Sequence, residues 1–488
     1  MSLREQLIVG DELETTDSEV RITLALPRYR SLPLSCVEPR QVRIDGVEID
    51  GAGITLHVNG KTRTLDQLRG LHDEWWFVAD RAELRVAKPG GIPAGRHEVE
   101  VVVALRLPYG VSEAGVGEVR REVVSCRKRL WCVPDHRREV SPEGEAGLRF
   151  GVSLYSFTPE FHGHRYDLER LIAKVAESRL GPGLEIVGFQ SLRGFPEVSE
   201  ALAGWFRDLL ERHGLRASCL DANVDVGIRS DRLLTETELV DYLRRQVEAA
   251  RKLGFPVVRL QYDASPDVIE RLLPVAERAG VKLGVEIHAP HSVHHPTIAR
   301  LRERYEQLQS PYLGFIPDLG ACTVRVPRIL IDAYQQRGVP GVIIDTILDA
   351  WQEARARGED PFRASSRLRA RVEAMNGGPD ALTMAWHVFL YCGYQRPEAW
   401  IEIMPQIVHV HAKFFEIDDD GNEPNVPYRD LVAMFRDHGY AGGFSSEYEG
   451  WQWDEGSGCE RNGFALVRAH QRLCRSVARS AHPRSEAR

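Results

Sequence analysis

Residues 282–320 read KLGVEIHAPHSVHHPTIARLRERYEQLQSPYLGFIPDLG. The stretch opens and closes on short apolar runs, KLGVEIH (282–288) and LGFIPDLG (313–320), separated by an amphipathic segment, which is the βα grammar of a parallel sheet. The same unit recurs on either side. RFGVSLYSF (149–157), LEIVGF (184–189), RASCLDAN (216–223), VVRLQY (257–262), IVHVHAKFF (407–415) and GGFSSEYE (442–449) bring the strands to eight. Eight strands with their helices in about 325 residues predict an α/β (β/α)8 TIM barrel over 149–475. One helix shows the quality of the signal: Thr235 and Glu238 form a capping box, Leu239, Leu243, Val247 and Ala250 share a face, and Gly254 supplies the stop. The gap of about 85 residues between the sixth and seventh strands predicts a long helical insertion at the catalytic face, as a lid, a partner contact or a structural elaboration.

Before Arg149 the period changes to two. QVRIDGVEI (41–49) and ITLHVNGKTRTL (54–65) alternate around Asp45-Gly46 and Asn59-Gly60, the dipeptides that two-residue hairpins demand. HEVEVVVALRL (97–107) puts Val99, Val101, Val103, Leu105 and Leu107 on one face, with Glu98, Glu100 and Arg106 among those opposite. With Trp75 and Trp76 to fill a core, residues 1–145 read as an antiparallel β-sandwich. HRREVSPEGEAG (136–147) is the expected linker, and 476–488 an expected disordered tail.

The chain has 488 residues, 63 of them Lys or Arg and 71 Asp or Glu, for a net charge of −8. That balance argues against a nucleic-acid or membrane-surface partner. Eight scattered cysteines with no CxxC pair indicate neither a zinc ribbon nor a disulfide framework. With no export signal or spanning stretch expected, the reading is a cytoplasmic protein, and a homo-oligomer.

In a parallel barrel the chemistry lies at the C-terminal strand ends. The fifth strand ends in Glu286 and His288, the sixth in Asp318, the seventh in His409 and His411, and the eighth in Glu447 and Glu449. A lone Glu or Asp at a strand end is more often a helix cap or ion-pair partner, and a lone histidine a satisfied core group. Joint occurrence on four consecutive strands reverses this, because several carboxylates meeting an imidazole repel one another unless a divalent cation neutralises them. An oxygen-rich set with one nitrogen suits Mn²⁺ first, with Mg²⁺, Co²⁺ or Zn²⁺ as alternatives. Substrate contacts are expected from His162 and His164 after the first strand, Asp221 after the third, Gln261 after the fourth, and from His409 and Glu449. Lys413, two residues beyond His411, is placed to meet a developing oxyanion. His291, His294 and His295 fall in the loop after the fifth strand, where capping is an equal reading.

VEIH (285–288), PDLG (317–320), HVHAK (409–413) and SSEYEG (445–450) resemble the xylose isomerase-like barrels. That resemblance implies one divalent ion held by Glu286, Asp318, His411 and Glu447, with His409 and Glu449 as the neighbouring alternatives. The histidine such barrels place three residues after the sixth-strand aspartate is Ala321 here, which makes plain aldose–ketose isomerisation less attractive and leaves His288 as the natural general base. ALPRYRSLPLSCVE (25–38), VRIDGVEID (42–50), the Trp75–Trp76 pair and KPGGIPAGRHEVEVVVALRLPYG (88–110) resemble the β subunit of bacterial C-glycoside deglycosidases, whose α subunit is an isomerase-like barrel. The combined resemblance implies metal-dependent cleavage of a small-molecule 3-oxo-glycoside: a C3 ketone acidifies the C2 proton, His288 removes it, the metal and Lys413 stabilise the oxyanion, and the aglycone leaves C1 by β-elimination. The sequence identifies no acid for the aglycone. The competing expectations are a sugar or cyclitol isomerase, epimerase or dehydratase; a DNA-repair nuclease, disfavoured by the acidic charge; and a non-catalytic sugar-binding scaffold.

Overall fold

A computed structural model describes residues 7–9, 12–16, 18–93, 95–111, 119–132, 149–418, 420–454 and 462–479. The expected linker and residues 480–488 lie outside them. The barrel strands are β1 (Phe150–Ser153), β2 (Gly183–Val187), β3 (Arg216–Asp221), β4 (Val257–Leu260), β5 (Lys282–Ile287), β6 (Leu313–Pro317), β7 (His409–Phe414) and β8 (Gly443–Tyr448). They hydrogen-bond in parallel in the order β6-β5-β4-β3-β2-β1-β8-β7, and bridges between Phe315 and Ile407 and between Asp318 and His411 close the ring. Their short apolar runs are buried on both faces, as helix-covered parallel strands must be. The helix Glu236–Leu253 carries the Thr235–Glu238 capping box, and Gly254 ends it in the left-handed region at φ 90°.

The N-terminal region is a sandwich of two sheets around Val20, Ile22, Leu56, Leu84, Val99, Val101 and Val103, all buried. The alternation predicted for 97–107 holds, with its five apolar side chains inward. Both hairpins turn where expected: Asp45, Gly46, Asn59 and Gly60 all have positive φ. The sandwich is not wholly antiparallel, because Glu12–Thr15 pairs in parallel with Val119–Cys132 while pairing antiparallel with Glu19–Ala25, and so joins the two sheets. Trp76 fills the core, but Trp75 does not: its ring stacks on Phe189 of the barrel at 4.2 Å. Arg106, predicted on the polar face, is buried against the barrel and donates to the carbonyls of Ser35 and Arg229.

These departures have one cause: the sandwich is docked on the barrel. Segment 26–35 lies over the loops that follow β1, β2 and β3, at the C-terminal strand ends. Ser31 N donates to Phe189 O (2.9 Å) and Ser35 Oγ to Ile228 O (2.8 Å). The Arg30 guanidinium grips both oxygens of Asp225 at 2.6 and 2.7 Å, with both side chains fully buried. On the other side of the mouth, between β6 and β7, come the helices α1 (Arg328–Gln336), α2 (Gly341–Arg357), α3 (Pro361–Ala374) and α4 (Pro379–Tyr391). Their exit strap pairs with the loop beyond Asp318, with Gly393 N on Gly320 O and Gln395 N on Ala321 O. The backbone of Gly393 presses on Ala321 so closely that a Cβ at 393 would stand 2.6 Å from the Ala321 Cα, which fills the space around position 321. The final helix Gly463–Arg479 covers 476–479, which the sequence assigns to the tail: Val477 is buried and its carbonyl accepts from Arg436.

Two predictions follow the fold's polar contacts. Arg30→Ala leaves Asp225 buried with only the Tyr242 hydroxyl and is expected to cost about 3–5 kcal/mol by denaturant titration; a loss below about 1 kcal/mol would show that the seam does not depend on the pair. At the first hairpin His97 Nδ1 meets Asp45 Oδ2 at 2.7 Å. That bond lowers Asp45, whose contribution is present above its ordinary 3.8 and lost as pH falls; it raises His97, whose contribution is complete below its ordinary 6.5 and lost as pH rises. The stability gap between wild type and His97→Gln is therefore largest between those values and narrows by pH 9; a gap that widens with pH contradicts the assignment.

Candidate metal centre at the barrel mouth

On β7, residues two apart face the barrel interior, so His409, His411 and Lys413 form a ladder from the interior toward the C-terminal mouth. Each rung meets its own set of partners. His409 Nε2 lies 2.6 Å from Glu185 Oε2 and 3.0 Å from Ser445 Oγ. His411 Nδ1 lies 2.6 Å from Glu286 Oε1 and 3.9 Å from Glu447 Oε2, while Nε2 faces Glu185 Oε1 at 3.4 Å. Lys413 Nζ lies 2.6 Å from Asp318 Oδ2, 2.8 Å from His288 Nε2 and 2.9 Å from Glu449 Oε2.

One ligand atom from each of Glu286, Asp318, His411 and Glu447 lies within 4.8 Å of the others, and all four residues are buried. This is the expected ligand set. Its electrostatics favour a cation. Burial pushes the Glu447 carboxyl well above its usual range against the pull of Lys413 and His411. Burial opposes charging of His411, but Glu185, Glu286 and Glu447 outweigh it and hold the imidazole well above its usual value. Glu447 Oε2 is buried without a hydrogen-bond partner. Three carboxylates, one imidazole and an unsatisfied oxygen fit a hard or borderline divalent ion. The Nε2 side of His411 is turned to Glu185 Oε1 at 3.4 Å, without a hydrogen bond between them.

A second group, Glu185, Cys219, His409 and His411, is equally compact but chemically poorer. Glu185 is taken by His409 and Ser445, and burial pushes the Cys219 thiol up, away from the thiolate a metal needs. It supports the first group from below.

The remaining candidates separate. Asp221 belongs to the cluster: it faces Arg259 Nε at 3.3 Å and His411 Nε2 at 3.7 Å, and burial with Glu185 nearby pushes it up to about 7. Glu449 holds Lys413 through one oxygen and accepts from the Tyr155 hydroxyl (2.7 Å) through the other. His409 is a buried lower rung and presents no atom to the mouth. His162 does not face the centre: its Nε2 bonds the Leu26 carbonyl across the seam, and burial pushes it down to about 4. His164 lines a separate hollow of about 740 Å³ with Phe77, Phe161, Arg193 and Trp205. Gln261 pins a loop by accepting from Val224 N. Lys413 is engaged on three sides and presents no unpaired ammonium. In the β5 loop His295 caps the helix Pro296–Leu308, His291 packs on Tyr262, and His294 pairs with Glu402.

Sequence reasoning missed Glu185, Arg259, Tyr155 and Tyr391. Glu185 and Arg259 each stand inside an otherwise apolar strand, and that was their signal. Arg259 Nε also reaches Glu286 Oε2 at 3.5 Å; burial opposes its charge, and Asp221 and Glu286 more than restore it. Tyr391, at the end of α4, sets its ring 6.2 Å from His288 and donates to Gln452.

Comparison with known proteins finds relatives of both regions of the chain. Residues 6–109 match the family described as C-glycoside deglycosidase beta subunit, and residues 181–337 match the xylose isomerase-like TIM barrel. The 3'-dehydrocarminate deglycosidase alpha subunit of a Microbacterium species is 44% identical over 334 residues, 67% of this chain and 95% of that protein. The C-glycoside deglycosidase alpha subunit of Microbacterium trichothecenolyticum is 44% identical over 339 residues, 68% of this chain and 91% of that protein. The beta subunit of the 3'-dehydrocarminate enzyme is 38% identical over 107 residues, 22% of this chain and 80% of that protein.

The two compact groups are distinguished by metal titration. Glu447→Gln is expected to weaken divalent-metal binding by about 100-fold or more, and Cys219→Ser to leave it within about threefold. The reverse pattern would move the site to the lower group.

Proposed function

The chain belongs to the C-glycoside deglycosidases, with regions matching their alpha and beta subunits in one polypeptide, and from that membership we propose that it cleaves 3-oxo-glycosides by C2 deprotonation and β-elimination of the aglycone. A relative named for a 3'-dehydro substrate supports the oxidised sugar.

The observation that carries the reading is the state of His288. An ammonium has no lone pair, so Lys413 Nζ must donate to Nε2, while Nδ1–H donates to the Ala289 carbonyl. The ring is thereby a neutral base whose basic nitrogen faces the ligand set. It is partly exposed, with 18% of its side chain accessible, while Lys413 and Asp318 beside it are almost fully buried. Substrate entry has Lys413 give up Nε2 while Asp318 and Glu449 keep the ammonium in place. Burial alone would discharge that ammonium; Asp318, Glu449, Glu447 and Glu286 hold it well above the usual lysine range. Nε2 then takes the C2 proton, the resulting imidazolium finds Asp318 Oδ2 at 3.7 Å, and Lys413 meets the negative charge gathering on the sugar oxygen. A divalent cation on Glu286, Asp318, His411 and Glu447, Mn²⁺ being the first expectation, would supply Lewis-acid polarisation of the C3 carbonyl. The sandwich on one side and the insertion on the other limit water at the mouth.

The test is product analysis. Metal-loaded protein given an aryl 3-oxo-glucoside in D₂O is expected to release aglycone and exchange the C2 proton; an epimer or ketose with no aglycone would replace the lyase by an isomerase. His288→Ala is expected to lower both rates by about 100-fold or more with metal content retained.

A further inference from the structure

Cleavage leaves a proton debt at the aglycone that no group in the ligand set is placed to meet. A group from the sandwich is. In segment 26–33 the backbone is tied on both sides of Tyr29: the Leu26 carbonyl to His162, the Tyr29 carbonyl to Gln190 Nε2 (2.5 Å), the Arg30 side chain to Asp225, and Ser31 N to Phe189 O. The side chain is thereby fixed at the seam. Its ring meets that of Tyr155 edge-on at 5.2 Å. From Tyr155 the contacts run through Glu449 and Lys413 to His288, each within 2.9 Å of the next.

Most phenols here are committed. Tyr155 donates to Glu449, Tyr391 to Gln452, and the Tyr109 hydroxyl accepts from Arg28. The Tyr29 hydroxyl has no hydrogen-bond partner among the described residues. Tyr262 is similarly uncommitted, but it sits in the loop after β4 with its ring against His291 at 4.0 Å. Tyr29 is surrounded by cations. The Arg28 guanidinium stands 5.7 Å from its ring centroid, and Arg30 and Arg259 are close enough to favour its phenolate electrostatically. Burial and Tyr109 outweigh these cations and hold the phenol well above its usual range, protonated at rest.

Building on the deglycosidase reading, we infer that Tyr29, contributed by the N-terminal sandwich, is the catalytic acid that protonates the departing aglycone. The C2–H electron pair becomes the C1=C2 bond and its proton goes to His288 Nε2. The C1–aglycone bond breaks with its electrons on the aglycone atom, which takes the Tyr29 hydroxyl proton. The Tyr29 phenolate is reprotonated by water as the His288 imidazolium releases its proton, so no further reactant is consumed.

An acid matters most when the leaving group is poor. The experiment measures kcat for 3-oxo-glucosides of 4-nitrophenol, phenol and methanol in wild type and Tyr29→Phe. The variant is expected to lose about 100-fold on the methyl glycoside and less than about threefold on the 4-nitrophenyl one. Phenylalanine keeps the ring against Tyr155 and Arg28, and the retained 4-nitrophenyl rate itself reports a folded site. Tyr155→Phe, which loosens Glu449 and Lys413, is expected to slow all three alike. A uniform loss or no loss in Tyr29→Phe overturns the assignment while leaving the deglycosidase reading intact. Absence of aglycone release by wild type from all three glycosides and from an aryl 3-oxo-C-glucoside overturns both.

Discussion

Glu185, Asp221, Glu286, Asp318, Glu447 and Glu449 bring six buried carboxylates into one barrel mouth, against the cations of Arg259 and Lys413. Everything else in the molecule answers to that imbalance. Burying an ionised group costs several kcal/mol unless a partner repays it, and the partners here are shared: Arg259 divides between Asp221 and Glu286, and Lys413 among Asp318, Glu449 and His288. The remainder is carried by protons, with His411 held charged while Asp221 and Glu447 are pushed toward their neutral forms. A divalent ion on the upper set would relieve the same strain with one charge-dense centre. The acidic surplus of the composition is thus in part structural machinery and not a solvated surface.

Such a cluster needs a dry, rigid surround. The sandwich and the insertion supply it from opposite sides, and they are joined to the barrel differently. The insertion continues the chain and extends the loop beyond Asp318, whereas the sandwich relies on Arg30–Asp225, Trp75 on Phe189, and backbone bonds across the seam. Fusion in one polypeptide turns what would be a bimolecular association into an intramolecular one, so the docked arrangement stays occupied without depending on concentration.

The barrel and the group of four residues gathered at its mouth were legible because both follow local rules. Strand ends in a parallel barrel point to one place, and alternation on β7 alone ranks His409, His411 and Lys413 by depth. Glu185 and Arg259 were legible in principle, as lone charges in apolar strands, yet nothing local says whether such a residue faces the core or a covering helix. His162 misled for a reason no local rule contains: it occupies a catalytic-face loop, but that loop is where the sandwich lands, and its imidazole is spent on the Leu26 carbonyl. Trp75 and Arg106 went astray through the same seam. Contacts between two separately folded layers leave no period in either sequence.

The seam also explains why a sandwich with no ligand of its own is retained. A base that must accept a carbon-bound proton cannot also serve the leaving group on the far side of C1, and Lys413 is already committed to the sugar side. Of the barrel-loop phenols beside the base, Tyr155 is spent on Glu449 and Tyr391 on Gln452, holding the base in register. What remains uncommitted beside a cationic patch at the mouth is Tyr29, which stands there only because Arg30 and Ser31 are locked to the loops beneath. The division of labour follows from position: the groups within the carboxylate cluster are paired with one another, and the proposed acid comes from outside it, on the docked layer.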